Sequence, residues 1–303
     1  MNKPKEIISS FKVLNNGLKC PIIGIETNLI KNRKDIDIVY NSIIDGVRLI
    51  DTDPNNEEYV GLGIKKVINE GIVKRKDLFI IAKLELDEKG DPEAALKKSL
   101  KRLQLDYIDL YLDHWPSCIN IDDPNKYKLI PVKDTWEKME TLVELNLTKS
   151  IGVCNYNVEN LLNILSICKI KPVVNGVEFH PYLYQKDLKE FCDIHKIVLF
   201  AYNPLAKGEY LKEDITIFNE DILNNLKDKY SERSKAQLLL NWHMCLGLVP
   251  IPEASLEEIK EYLYAEKFQL NKNDISLLCS FENNHKHYRF NDGSKIFGIN
   301  IFE

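Results

Sequence analysis

The sequence predicts an α/β fold in which eight parallel strands close into a (β/α)8 barrel, a TIM barrel. Short apolar runs alternate with segments of helical period along the chain, which is the pattern of repeated βα units. The apolar runs number eight and are short and evenly spaced, as expected for the buried strands of a closed parallel sheet. A length of 303 residues suits one such barrel. No linker divides the chain, so we expect a single domain over residues 1–303.

The predicted elements begin with a small hairpin in residues 11–21, which turns on Asn16-Gly17. We expect this hairpin to plug the bottom of the barrel. The predicted strands are residues 22–27, 48–52, 78–84, 108–115, 150–155, 173–180, 197–205 and 247–253. Amphipathic helices are predicted at residues 91–104, 132–146 and 185–196. The pattern weakens after about residue 275, and we expect this C-terminal tail either to cover the barrel mouth or to be irregular.

Composition and charge exclude several classes of function. The net charge is −5 without a basic patch, so nucleic acid is not an expected partner. Seven cysteines are scattered without a C-x-x-C pair, so neither a metal site nor a disulfide framework is predicted. No apolar run is long enough to span a membrane, and the first residues lack the apolar core of a signal peptide. We therefore expect a cytoplasmic protein without a membrane partner.

Functional residues of such barrels lie at the carboxyl ends of the strands. Polar side chains at the predicted ends are Asp51, Lys83, His114, Asn155, Glu178, His180, Tyr202 and Glu253. An Asp, a Lys and a His that converge on one mouth form a constellation suited to proton transfer. Two readings remain open: the three residues are catalytic, or Asp51 and Lys83 form a buried ion pair while His114 caps the core.

Several stretches resemble the aldo-keto reductases over nearly the whole chain. They include "GLKCPIIGIET", "SLKRLQLDYIDLYLDHWP", "SIGVCNYN", "VVNGVEFHPYLYQ" and "AQLLLNW", and the tail "HYRFNDGSKIFGINIFE" is most similar to fungal aldose and xylose reductases. The resemblance implies NADPH-dependent reduction of a small carbonyl substrate, an aldehyde, ketone or open-chain sugar. Hydride passes to the carbonyl carbon and a Tyr hydroxyl gives the proton. In this family an Asp, a Lys and a His assist the Tyr, and Asp51, Lys83 and His114 stand at those positions.

The family's Tyr is missing from its expected place. The family pattern is D-T-A-x-x-Y-x-N-E-x-x-V-G, whereas residues 51–61 read DTDPNNEEYVG. The two agree only if two residues are deleted, and one of them is the Tyr. Tyr59 is the nearest replacement but falls inside the next helix, and Tyr111 and Tyr156 are no better placed by strand alternation.

The positions that hold the nicotinamide are altered in part. The resemblance assigns Thr27 and Asn155 to the cofactor, but the family's Ser before Asn155 is Cys154 here, and its Gln in the sixth strand is Gly176. Tyr202 stands where an aromatic ring stacks on the nicotinamide. An alternative role for Tyr202 is packing on its neighbours at the mouth.

The positions that grip the 2′-phosphate of NADPH have changed charge. The family motif I-P-K-S, with Arg and Asn on the following helix, corresponds to Glu253, Ala254, Glu258 and Tyr262. Carboxylates repel a phosphate dianion, so NADPH is disfavoured. Glu253 could accept a hydrogen bond from the free ribose hydroxyl of NADH, and the alternative is that Glu253 and Glu258 are solvated surface acids.

The substrate wall keeps Trp115 after His114, but the family's G-T-W in the first strand is Glu26-Thr27-Asn28. Asp113 replaces an aliphatic residue and is predicted to point away from the mouth. Because these changes concentrate at the functional site, the preferred hypothesis is a pseudoenzyme, a barrel that acts as a binding or assembly protein and could have an unidentified protein partner. The alternative is an active, diverged oxidoreductase that uses NADH or NADPH and takes its proton from His114, or from water on Lys83.

Overall fold

The computed structural model describes residues 10–116, 130–210, 213–284 and 287–297, together with Phe302. The first nine residues, on which the expected absence of a signal peptide depends, lie outside the described residues. Strands in the described part of the chain are β1 Phe11–Val13, β2 Lys19–Pro21, β3 Ile25–Glu26, β4 Leu49–Asp51, β5 Phe79–Leu84, β6 Leu110–Asp113, β7 Ile151–Cys154, β8 Val174–Glu178, β9 Val198–Tyr202, β10 Lys207–Tyr210, β11 Glu213–Thr216 and β12 Val249–Ile251.

Helices lie between the strands and after the last strand. They are α1 Ile36–Asp45, α2 Glu57–Asn69, α3 Pro92–Leu103, α4 Val132–Glu144, α5 Val158–Leu165, α6 Lys186–His195, α7 Asp221–Lys229, α8 Lys235–Cys245, α9 Leu256–Leu263, α10 Lys272–Cys279, α11 Phe281–Asn284 and α12 Ser294–Phe297. None of the described helices is long and apolar enough to cross a membrane.

The predicted barrel is confirmed. Eight parallel strands, β3 to β9 and β12, run in the order β12-β9-β8-β7-β6-β5-β4-β3. A parallel bridge between Glu26 and Glu253 joins the two ends of this sheet, and the backbone N–H of Glu26 donates to the carbonyl of Pro252 at 3.0 Å. Each strand lies inside its predicted range but is shorter.

Alternation along the strands divides the apolar residues into two clusters. One fills the barrel interior and includes Leu49, Ile81 and Phe200. The other lies between the strands and the surrounding helices. The same alternation sends every second side chain at the strand ends into the mouth, which is how the fold collects the site residues.

The opening hairpin forms as predicted, with β1 and β2 antiparallel. Leu14 and Cys20 from this hairpin belong to the interior cluster, so the hairpin closes one end of the barrel. A second hairpin, β10 with β11, follows the seventh barrel strand; it was not predicted from the sequence.

The C-terminal tail covers the barrel mouth, which decides between the two sequence expectations. Glu178, fully buried at the end of β8, accepts the backbone N–H of Phe290 at 2.9 Å and that of Asn291 at 2.8 Å. His180 Nε2 lies 2.9 Å from the same carboxylate. The ring of Phe297 then makes an edge contact with Trp115 at a centroid distance of 5.5 Å.

Candidate functional site

A cavity of about 220 Å³ opens at the carboxyl end of the barrel, under the tail. We call it the mouth cavity. Six residues singled out from the sequence line it together: Asp51, Lys83, His114, Trp115, Asn155 and Tyr202. Glu253 lines an adjoining groove instead, and Thr27 lines neither space. The hydroxyl of Thr27 lies 2.8 Å from the carbonyl oxygen of Asp51 and 3.1 Å from Asn56 Oδ1, both inside the protein.

Asp51 and Lys83 form a buried ion pair on the floor of the mouth cavity. Lys83 Nζ lies 2.7 Å from Asp51 Oδ1, and both residues are less than a tenth exposed. Burial opposes the charged form of Lys83, but the charges of Asp51 and its neighbours outweigh this effect, and the pKa of Lys83 stands above its ordinary value. The lysine is therefore an ammonium throughout the physiological range.

The second hydrogen bond of Lys83 goes to the backbone. Its Nζ donates to the carbonyl oxygen of Thr52 at 3.1 Å, on the short loop that joins β4 to α2. Tyr59, on α2, packs against the cluster outside the barrel, and Tyr111 and Tyr156 are buried in that same cluster. Among the described residues, no tyrosine hydroxyl is hydrogen-bonded to the lysine.

Asn56 and Glu57, which follow this loop, have a structural role that does not depend on catalysis. Asn56 donates to the carbonyl of Thr27 at 2.9 Å and accepts the N–H of Asp53 at 3.1 Å. Glu57, fully buried, pairs with Arg102 at 2.7 Å. A Cβ at Gly61 would lie 2.5 Å from the carbonyl oxygen of Leu103, so α2 and α3 pack closely only with glycine there. This motif therefore fixes how the loop and α2 join the barrel.

His114 and Trp115 form one side of the mouth cavity. His114 Nδ1 lies 2.9 Å from Glu85 Oε1, which orients the ring and leaves Nε2 without a hydrogen bond among the described residues. Trp115 is fully buried beneath the tail. The imidazole is placed to contact a ligand in this cavity, as the sequence suggested.

The carboxamide of Asn155 is fully engaged within the protein. Its Oδ1 accepts the hydroxyl of Tyr202 at 2.6 Å, and its Nδ2 donates to the carbonyl of His114 at 3.0 Å. A Cβ at Gly176 would lie 2.5 Å from Cys154 Sγ, so the sulfur occupies space that a side chain at residue 176 would need. Burial raises the pKa of Cys154 to about 12, despite nearby Lys83, so its thiol is neutral.

The groove beside the mouth cavity is lined on its far side by Glu253, which is exposed. Glu258 is not simply a solvated surface acid, which corrects one of the sequence alternatives. It completes the N-terminal capping box of α9 with Ser255, and its Oε1 lies 3.1 Å from Lys207 Nζ and accepts the Tyr262 hydroxyl at 2.9 Å. Burial is outweighed by these bonds, and the pKa of Glu258 falls to about 2. These residues do not fit a 2′-phosphate dianion.

Glu26 lines both the mouth cavity and the groove, and sequence reasoning did not single it out as a site residue. Burial, followed by the charge of Asp51, raises the pKa of Glu26 to about 7. The signal was available, because a Glu replaces the family's Gly at the end of the first barrel strand. A carboxylate at the end of a barrel strand is the signal that identifies it.

Asp113 points away from the mouth, as alternation predicted, and the structure explains it. Its Oδ1 lies 2.5 Å from Lys89 Nζ, and its Oδ2 accepts the Tyr156 hydroxyl at 2.7 Å. Lys89 also donates to the carbonyl of Trp115. This buried group holds the segment behind Trp115. Among the described residues, no cluster of His, Cys, Asp and Glu could hold a metal ion.

Comparison with known proteins identifies the family. The model of the aldo/keto reductase family matches residues 23–283. The chain belongs to the aldo-keto reductase family. This family match covers the barrel strands from β3 to β12 and the helices between them, and with them every residue discussed at the mouth up to Glu258.

Individual aldo-keto reductases align over almost the full chain. The glyoxal reductase of Bacillus subtilis is 38% identical over 272 residues, 86% of this chain and 89% of the relative. The NADH-dependent D-xylose reductase of Candida parapsilosis is 33% identical over 316 residues, 95% and 96% of the two chains. The crystal structure of a Bombyx mori aldo-keto reductase in complex with NADP is similar with a TM-score of 0.85 and 31% identity, over 95% of this chain and 98% of that one.

Proposed function

We propose that this aldo-keto reductase barrel binds a small polar ligand in its mouth cavity and does not carry out NADPH-dependent carbonyl reduction. One observation carries the proposal: Lys83 Nζ bonds Asp51 and the carbonyl of Thr52, with no tyrosine hydroxyl bonded to it among the described residues. A positioned general acid contributes about 10²–10⁴-fold to a rate. Without it, proton transfer to the carbonyl oxygen should be slower by a factor of this size.

The charges along the groove support the same proposal. Glu253 and Glu258 stand where the family resemblance places cations, and Lys207, which could offset them, is paired with Glu258 at 3.1 Å. Glu26 adds a third carboxylate between the groove and the mouth cavity. A dinucleotide with three phosphate groups would meet this row of carboxylates, so NADPH is disfavoured more than NADH.

Survival of the Asp51–Lys83 pair is compatible with lost catalysis. Removing one partner of a buried pair leaves the other charge without compensation, which costs about 3–5 kcal/mol. Folding alone is therefore sufficient reason for both residues to be present.

A second candidate function is an active, NADH-linked reductase. The observation that favours it is the convergence of Asp51, Lys83 and His114 on one cavity. A relative named as an NADH-dependent D-xylose reductase is 33% identical to this chain. In this alternative His114, or a water held by Lys83, supplies the proton.

The two candidates are separated by a turnover assay. The purified chain is mixed with glyoxal and either NADPH or NADH, and cofactor oxidation is followed, with the Bacillus subtilis glyoxal reductase as the positive control. We expect no oxidation above the rate without protein. Turnover that disappears in Lys83→Met or in His114→Ala would overturn the proposal and establish the reductase. Turnover retained in both variants would instead indicate a contaminating enzyme, in agreement with the proposal.

A further inference from the structure

The carboxylate of Glu26 has no ion-pair partner among the described residues. Its Oε1 accepts a hydrogen bond from Asn28 at 2.7 Å, which is a neutral donor on the same segment. Lys83 is the one lysine or arginine that lines the mouth cavity within the described part of the chain, and it is committed to Asp51 at 2.7 Å. Glu26 is therefore a half-buried acid without a cation of its own.

The strand register explains why carboxylates, and not cations, stand beside Glu26. Glu26 stands beside Asp51 in the pairing of β3 with β4, and beside Glu253 across the bridge that closes the barrel. The next residue back, Ile25, belongs to the cluster outside the barrel, so alternation directs Glu26 inward. Burial first and the charge of Asp51 second raise its pKa to about 7, with Lys83 opposing and Glu253 adding to the rise.

A half-buried carboxylate that stands beside a second carboxylate is stabilised by a proton or by a bound cation. The rest of the wall offers partners for a polar ligand. Asn28 and Asn291, which border the mouth cavity and the groove, can exchange hydrogen bonds with hydroxyl groups. Trp115 adds an apolar part to the same wall.

We propose that the mouth cavity binds a small polyhydroxylated amine, with its ammonium group on the carboxylate of Glu26. This inference rests on the proposed function, because it assigns the ligand of the same cavity. Hydroxyl groups along the ligand face the amide side chains and His114. Binding gives the carboxylate of Glu26 a cation as its partner. A ligand with an ammonium group therefore binds more tightly than its neutral analogue, and an anionic analogue binds least.

The test uses three six-carbon compounds that differ at one end: D-glucamine with an ammonium group, D-sorbitol with a hydroxyl and D-gluconate with a carboxylate. Isothermal titration gives the dissociation constant of each. We expect glucamine to bind about tenfold or more tightly than sorbitol, as for one charge-assisted hydrogen bond, and gluconate to bind more weakly than sorbitol. Equal binding of the three compounds, or no binding of glucamine, would overturn the inference.

The pH dependence gives an independent arm. Glucamine stays protonated on both sides of neutrality, while Glu26, with its pKa near 7, becomes ionised as the pH rises. Between one pH unit below that value and one unit above it, the ionised fraction grows about tenfold. Glucamine affinity should grow by the same factor and sorbitol affinity should not. A glucamine affinity that is flat or falls over this range contradicts the assignment.

Two variants locate the charge. Glu26→Gln keeps the size of the side chain and should remove the preference for glucamine over sorbitol without weakening sorbitol. Glu253→Gln, the matched control, removes the same charge at an exposed neighbour and should keep the preference. A preference that survives in Glu26→Gln and disappears in Glu253→Gln would overturn the inference. Turnover with NADPH would overturn the proposed function instead, whichever way the amine binds.

Discussion

The floor of the mouth cavity matches the family pattern, whereas the adjoining groove departs from it. On the floor, Asp51 and Lys83 are buried and bonded at 2.7 Å. In the groove, Glu253 is exposed and Glu258 is half-exposed on α9. A change to one member of the buried pair leaves a charge inside the protein, whereas a change on the exposed rim has little effect on folding. Under the proposed function, folding alone is enough to keep the buried pair, whereas residues on the exposed rim can change with the ligand.

The largest expected effect is on the floor. Lys83→Met leaves Asp51 buried without its cation, so the free energy of unfolding should fall by about 3–5 kcal/mol. The double variant Asp51→Asn with Lys83→Met removes both charges and should recover much of that loss. Urea unfolding of the three proteins measures both changes. If the free energy of unfolding of Lys83→Met were within about 1 kcal/mol of that of the original chain, the ion pair would not be needed for folding. The contrast drawn between the floor and the groove would then be wrong.

A smaller effect is expected at Glu26, and it depends on pH. The pKa of Glu26 rises from 4.5 to about 7 on folding, so its contribution to stability is present below 4.5 and is lost as the pH rises through about 7. The loss amounts to roughly 3 kcal/mol. Glu26→Gln should therefore stabilise the protein at alkaline pH and change little at acidic pH, as measured by urea unfolding. Equal stabilisation at both ends of the range would show that ionisation of Glu26 is not the cause.

The third effect is expected in the groove, on the affinity for NADPH. In a Glu26→Gly background, Glu253→Lys should tighten NADPH binding about tenfold, roughly 1.4 kcal/mol, because an ammonium then replaces a carboxylate where the family resemblance places the cation for the 2′-phosphate. NADH lacks that phosphate and serves as the control ligand. Cofactor fluorescence measures both affinities. An equal gain in affinity for NADH and NADPH would show that the residue at position 253 does not contact the 2′-phosphate.

The smallest effect is expected at Glu258. Glu258→Ala removes the carboxylate of the capping box and the partner of Lys207, and should cost about 1 kcal/mol, since the side chain is partly solvated. Glu257→Ala, exposed on the same turn, is the matched control and should change stability by less than about 0.5 kcal/mol. Thermal unfolding compares the two. Equal losses would mean that the bonds of Glu258 contribute nothing of their own.

The sequence predicted most of the fold because buried strands carry a continuous apolar signal and the helices between them a periodic one. The sequence also predicted that Asp51, Lys83 and His114 lie together at the barrel mouth. Strand alternation, and the location of functional residues at the carboxyl ends of barrel strands, are sufficient for that prediction. The sequence could not supply partners that come from distant loops. Asp113 finds Lys89, and Glu258 finds Lys207 from the unpredicted β10–β11 hairpin. A sequence also cannot show that Glu26 lacks an ion-pair partner, because that depends on which carboxylate Lys83 contacts in the folded protein.

Direct titration of the purified chain with NADPH tests the central claim. A lost proton donor alone would still allow the cofactor to bind, but the carboxylates of Glu26, Glu253 and Glu258 oppose it at its phosphates. Isothermal titration should show no saturation up to about 1 mM NADPH, the weak end of ordinary enzyme affinities. A dissociation constant in the micromolar range would contradict the account, because the groove would then still be a working cofactor site.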